Sequence, residues 1–170
     1  MKTRYFLPAI GLIAGLCFTA CEKKDPFKDN KSEGYLTLKL DGQELTITKQ
    51  LTGSLHDTAS NAMLVVSGMT NDNQLVTVNI LFPNKQLKPG TYALDLNGFN
   101  SLGWMKTLGS AESYAADDLT LGASSSIIIE SVSEKAAKGT FSGVMIHDVD
   151  ETKKKTITEG KFDVTVLKLY

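Results

Sequence analysis

Cys21 is the residue of this 170-residue chain whose type and setting point most directly to chemistry. Lys2 and Arg4 give a positive start, Phe6 to Phe18 is a mostly apolar run, and Thr19-Ala20 places small residues against the cysteine. This is the layout of an export signal, and a cysteine directly after the small residues is what a lipoprotein signal peptidase needs. The thiol is expected to carry a diacylglyceryl group, the chain to be cut before Cys21, and the new amine to take an acyl chain such as palmitate. A transmembrane anchor is the rival reading. It needs about 20 predominantly apolar residues, whereas the run here is shorter and contains Pro8. Each buried methylene contributes about 0.8 kcal/mol, so two or more acyl chains hold a protein at a membrane without a spanning helix.

The other residues that could do chemistry are few. Cys17 leaves with the signal and Cys21 carries lipid, so no thiol remains for a disulfide, a zinc site or a nucleophile. The two histidines are His56, read in a polar loop Leu55 to Thr58, and His147, at a strand end beside Asp148. Nucleophilic catalysis needs a base oriented by a third group, and none of the serines, Ser124 to Ser126 included, sits in a nucleophile-elbow pattern. No catalytic residue is assigned, and a hydrolase with a loop-borne site is the least favoured alternative. His147-Asp148-Val149-Asp150-Glu151 is the densest donor cluster. It lacks the glycine and further oxygens of a calcium loop, and Lys153 to Lys155 follow at once. It reads as a solvated hairpin loop, and no metal or other cofactor is expected. Asn71-Asp72-Asn73 reads as turn chemistry.

Binding is the more credible class. The candidate residues are Phe99, Trp104 and Tyr114, set among glycines and polar residues in the irregular stretch Asn97 to Ser125. Long loops of this kind are often functional. An exposed aromatic there could stack on a sugar or anchor a protein partner. The alternative is that Trp104, flanked by Leu102 and Met105, fills the core.

The elements that must position these residues are strands. Residues 1–20 are the signal, 21–34 a charged tether, and 35–170 a single domain, of a size that buries one sizeable core. Removal of Lys2 and Arg4 leaves 16 Lys+Arg against 19 Asp+Glu, a net charge of −3 that argues against a nucleic-acid binder. The tether is too polar to offset its ordering entropy. Tyr35 to Leu40 alternates strictly, Asp41-Gly42 follows, and Gln43 to Thr48 alternates again, which is a hairpin signal. Leu36, Leu38, Leu40, Leu45 and Ile47 are expected to face the core. Further strands are expected over Ala62–Met69, Gln74–Phe82, Thr91–Leu96, Ser126–Val132, Gly139–His147 and Thr156–Leu169, with short ones around 112–115 and 119–121. Tyr92, Leu94 and Leu96 form one expected inward set, and Phe162, Val164 and Val166 another. Gly160 falls where a bulge would sit. No helical period is sustained. The expected fold is all-β, an antiparallel β-sandwich, with a β-barrel as the alternative.

Three stretches carry a resemblance: Lys88-Pro89-Gly90-Thr91-Tyr92; Ser126-Ile127-Ile128-Ile129-Glu130; and Lys138-Gly139-Thr140-Phe141-Ser142-Gly143 with Ile157-Thr158-Glu159-Gly160-Lys161-Phe162-Asp163-Val164. On these the chain resembles a family of small Bacteroidota lipoproteins whose β-rich domain has no assigned function. It departs from the family at Gly143, where a second large apolar residue often follows the Gly-Thr-Phe-Ser segment. The resemblance implies a β-rich fold and a lipoprotein address, and supplies no catalytic residue. The expectation is therefore a non-enzymatic lipoprotein of the outer membrane, anchored through its lipid, that binds an envelope protein or a glycan. A structural accessory without a small ligand is the alternative. Glu22 and Asp25 partly match an acidic surface-export signal, interrupted by Lys23 and Lys24.

Overall fold

The computed structural model describes residues 34–94 and 99–169. The signal, Cys21 and most of the tether, along with Leu96, lie outside the described residues. The compact unit that holds the β-domain runs Lys31–Tyr170. The described residues form eleven strands and no helix: β1 (Tyr35–Leu40), β2 (Gln43–Ile47), β3 (Lys49–Asp57), β4 (Asn61–Met69), β5 (Leu75–Pro83), β6 (Gly90–Ala93), β7 (Ser101–Met105), β8 (Ser113–Ala116), β9 (Ser124–Val132), β10 (Ala136–His147) and β11 (Lys154–Leu169).

All eleven belong to one sheet in the order β2-β1-β11-β3-β4-β5-β7-β8-β10-β9-β6, and β10 also pairs with β11. The pairings thus close on themselves through β11, β3, β4, β5, β7, β8 and β10. This corrects the purely antiparallel expectation in one place: β11 pairs with β3 in parallel, Val166 to Leu169 against Gly53 to His56. The long strands β10 and β11 make this closure. β11 pairs with β1 over Ile157 to Asp163 and only then with β3. β10 pairs with β9 as far as Val144 and then with β8 at Ile146 and His147.

Alternation decides which face is buried, because successive side chains of a strand point to opposite faces. Leu36, Leu38, Leu40, Leu45 and Ile47 all face one continuous core, as do Val76, Val78, Ile80 and Phe82 of β5 and Phe162, Val164 and Val166 of β11. The Asp41-Gly42 hairpin has both residues at positive φ, 50° and 84°, as the expected turn requires.

The bulge forms in β11, between the positions facing Thr37 and Lys39. The left-handed residue is Glu159, with φ of 53°, rather than Gly160. Gly160 is there for a different reason. It pairs with Phe141, while Gly139 pairs with Phe162. A Cβ on Gly160 would lie 2.5 Å from the Phe141 carbonyl oxygen and 2.7 Å from its ring. A Cβ on Gly139 would lie 2.9 Å from the Phe162 ring and 2.4 Å from the Ile128 carbonyl oxygen. Each strand thus carries a Gly-x-Phe triplet, and each phenyl ring covers the glycine opposite it. The two rings sit 6.4 Å apart within the core. At Gly143 a Cβ would meet the Ser124 carbonyl oxygen at 2.2 Å, which accounts for the missing large residue there.

Four further expectations change. Leu55 and His56 belong to β3, not to a loop, and Ser101 to Met105 form the regular strand β7. Residues 119–121 form a turn instead of a strand, with Leu119 and Leu121 exposed. β6 ends at Ala93, so Leu94 lies beyond it and is half-buried, as is Tyr92.

Candidate functional site

Four chain segments converge on a cleft of about 400 Å³. The β1–β2 turn contributes Asp41 and Gln43, the β4–β5 turn Asp72 and Gln74, the β7–β8 loop Lys106, Thr107 and Glu112, and the start of β11 Lys155. Trp104 and Leu40 supply its apolar wall. Each segment is fixed by its own bonds. Thr156 N donates to Asp41 Oδ1 at 2.8 Å and Asp41 N to the Thr156 carbonyl at 2.9 Å, tying the hairpin turn to β11. In the β4–β5 turn Thr70 N donates to the Gln74 carbonyl at 3.0 Å, and Asn73 takes the left-handed conformation at φ 67°. Lys106 N donates to the Glu112 carbonyl at 3.0 Å and closes the β7–β8 loop.

Trp104 is the centre of this arrangement. It lies on β7, is only 6% exposed, and belongs to the core. Its Nε1–H donates to Gln74 Oε1 at 2.9 Å, and Gln74 Nε2 in turn donates to Asp72 Oδ2 at 2.8 Å. The Thr70 hydroxyl donates to the other Asp72 oxygen. These bonds, Thr70 first and then Gln74, hold the Asp72 carboxyl below the usual carboxylate range. Lys155 Nζ lies 4.8 Å from the Trp104 ring centroid and 5.3 Å from that of Tyr114, and it also donates to Asp41 Oδ2 at 3.2 Å. Lys106 donates to Glu112 at 3.0 Å, and that bond followed by the lysine's charge lowers the Glu112 pKa. The cleft therefore presents ionised carboxylates alongside two lysines, over an aromatic wall already engaged from within.

The three aromatic candidates are not one constellation. Trp104 and Tyr114 pair across β7 and β8 with ring centroids 5.7 Å apart, and both are buried. Phe99 is 45% exposed and does not line the cleft. Cys21 lies outside the described residues.

His147 packs edge-on against Tyr114 at 4.9 Å, and its Nδ1 accepts the backbone N–H groups of Val149 and Asp150 at 3.1 and 2.9 Å. In the neutral ring this leaves the proton on Nε2. Asp148 accepts from the Ser113 hydroxyl and Asp150 from Thr152, so these carboxylates shape their loop. Among the described residues, no group of three or more His, Cys, Asp or Glu is placed to hold a metal ion. Ser54 Oγ and His56 Nε2 lie 2.9 Å apart on β3, a contact within reach of a nucleophile–base pair. No described residue hydrogen-bonds the other ring nitrogen of His56, and the pair lies outside the cleft.

The polar cleft residues that sequence reasoning missed are Asp41, Gln43, Asp72, Gln74, Lys106, Thr107, Glu112 and Lys155. From sequence the first four are only turn and strand residues, and nothing in their spacing signals that four separate segments meet.

No family model matches the chain, and no curated protein or solved structure gives a significant match.

Proposed function

We propose that the chain is a lipoprotein of the bacterial outer membrane, anchored by a diacylglyceryl group and an acyl chain on Cys21, whose β-domain is a non-enzymatic binding module for an envelope protein or a glycan. The observation that carries the anchor is the run from Lys2 to Cys21, charged, then apolar, then small before the cysteine. The family resemblance points to the same address. The binding role rests on the cleft beside Trp104, a concave site with converging polar groups. β1 runs from Tyr35 to Leu40, and the cleft begins at Leu40 and Asp41. The described chain enters β1 at Tyr35, roughly 17 Å along the strand from the cleft.

Fatty-acid labelling of cells tests the anchor: the wild-type chain takes label and C21S takes none. Protease shaving of intact cells, with a periplasmic protein as control, tests the face. Loss of the domain while the control survives means an outward orientation. Protection until the membrane is broken moves the search to periplasmic partners and removes the extracellular glycan. Labelling of C21S equal to wild type would end the lipoprotein reading.

A second reading has one specific observation behind it, the Ser54–His56 contact. A hydrolase using it loses ester hydrolysis in both S54A and H56A. Unchanged hydrolysis in both variants and in H147A removes this reading.

A further inference from the structure

We infer that the cleft takes a neutral saccharide and holds it by hydrogen bonds to its hydroxyl groups, not by stacking on Trp104. This deepens the binding-module reading and rests on it.

Stacking is blocked by what the indole already does. Trp104 is 6% exposed, Lys155 Nζ sits 4.8 Å over its ring, and its N–H is spent on Gln74. A flat ligand that needs an open aromatic face finds none. What the cleft offers is polar and of both signs. Lys106 offsets Glu112 at 3.0 Å and Lys155 offsets Asp41 at 3.2 Å. Asp72, braced from behind by Thr70 and Gln74, has the charge of Lys49 acting on it, so neither sign is left unopposed.

An anionic ligand would meet Asp72 and the two paired carboxylates. A cationic one would meet both lysines. A neutral ligand avoids both penalties, provided its polar groups satisfy acceptor-only carboxylates and donor-only ammonium groups in one small space. A hydroxyl does this, since each donates one bond and accepts others and can rotate to suit. A peptide group has a fixed donor and a fixed acceptor and fits such a mixed wall less well.

Gln43 completes the set. Its side chain lies on the exposed end of β2, lines the cleft, and has no hydrogen-bond partner among the described residues. It offers one free donor group and one free acceptor. The volume of about 400 Å³ lies within the roughly 300–1,000 Å³ of small-molecule sites. Leu40 adds an apolar side chain to the cleft wall, and Leu108, 76% exposed, follows Thr107 on the β7–β8 loop that lines the cleft.

The test uses the full chain and its single tryptophan, which lines the cleft. Trp104 emission and calorimetry are followed during titration with neutral mono- and disaccharides, with glucuronate, glucosamine and triglycine as charged and peptide controls. A glycan array extends the neutral set. The expected result is saturable binding of a neutral sugar at roughly millimolar affinity or better, with the charged relatives about tenfold weaker or more. Q43A and D72N should each lose about tenfold with unchanged circular dichroism. Q43A removes an unbonded exposed side chain and keeps the test valid if D72N disturbs its turn.

The inference is overturned if no neutral sugar saturates, if glucuronate, glucosamine or triglycine binds best, or if both variants bind as wild type does. Crosslinking from L108C in cells separates this failure from that of the broader reading. Capture of an envelope protein without sugar binding leaves the binding module standing. Neither sugar nor partner brings both down.

Discussion

The reciprocal Gly-x-Phe pairs of β10 and β11 predict a sharp intolerance at two positions that carry no side chain. In G160A the new methyl carbon would sit 2.5 Å from the Phe141 carbonyl oxygen and 2.7 Å from two of its ring carbons. In G139A it would sit 2.4 Å from the Ile128 carbonyl oxygen and 2.9 Å from Phe162 Cζ. The ring contacts alone could be relieved by rotation. The carbonyl contacts cannot, because both oxygens belong to ladder strands, so the backbone must shift. Overpacking of this kind costs about 1–3 kcal/mol. For a domain of this size that is a fall in melting temperature of roughly 3–12 °C. Thermal and urea unfolding of the full chain in detergent, followed by far-UV circular dichroism, measures it. F141A within G160A distinguishes the two contacts. If the ring is the obstacle, the double variant is more stable than the sum of the two single losses predicts. If the carbonyl is, the losses simply add. Melting of G139A and G160A within about 1 °C of wild type would refute the packing argument.

Three further outcomes are expected. Trp104 emission is blue-shifted relative to free tryptophan and is poorly quenched by iodide, given its 6% exposure; full quenching would place it in solvent. Asp72 should make the domain more stable above the ordinary carboxylate pKa of 3.8 than below it. A pKa lowered in the folded state gives stability that is present above the unfolded value and is lost as pH falls through the folded one. The acid side of the urea-midpoint profile is therefore flatter in D72N, and parallel profiles would contradict this. At Glu159, with φ 53° and its carboxylate 2.7 Å from Lys39, both E159A and E159G lose the ion pair, but only glycine relieves the left-handed backbone. E159G should be more stable than E159A by about 1 kcal/mol in urea unfolding, and the reverse order would show that the bulge is unstrained.

Where one face of a strand carries large apolar residues at every second position, the sequence declares it. β1, β2, β5 and the end of β11 were legible for that reason. The alternation of β3 is broken by a residue that the tertiary structure needs. In β3 the inward positions are Leu51, Gly53 and Leu55. The middle one is glycine because a Cβ there would meet the Thr165 carbonyl oxygen at 2.9 Å, where β11 passes. The parallel pairing that closes the sheet thus erased the pattern that would have marked its strand. β7 is hidden for another reason: its inward face carries only Leu102 and Trp104, too short a run to mark a strand, and Gly103 lies on the other face, where a Cβ would approach Thr77 Oγ1 to 2.5 Å. Leu119 and Leu121 erred in the other direction. Their spacing suggested a strand, but the Asp117 carboxylate accepts from Leu119 N at 3.2 Å and Thr120 Oγ1 at 2.6 Å and holds a turn. The sequence singles out Trp104 but not the polar groups around it, because they come from four segments separated by up to 114 residues, the spacing of Asp41 and Lys155.

Asp41 shows how closely fold and site are joined. As half of the Asp-Gly turn it reads from sequence as a folding signal. In the structure its carboxylate accepts from Thr156 N at 2.8 Å and from Lys155 Nζ at 3.2 Å. The first bond fixes the β1–β2 hairpin against β11. The second holds the ammonium group that covers Trp104. One side chain therefore sets both the register of a hairpin and the charge over the aromatic wall. The cleft groups behind it are held in the same manner, Gln74 between Trp104 and Asp72, and Lys106 against Glu112. Groups held this way lose little freedom when a ligand arrives, which is what preorganisation contributes to affinity. It follows that D41A should loosen the hairpin and uncover Trp104 together, so iodide quenching should rise in step with the loss of stability. A variant that melts earlier with Trp104 still shielded would show that Lys155 keeps its place over the ring without Asp41, and that the two roles are separable.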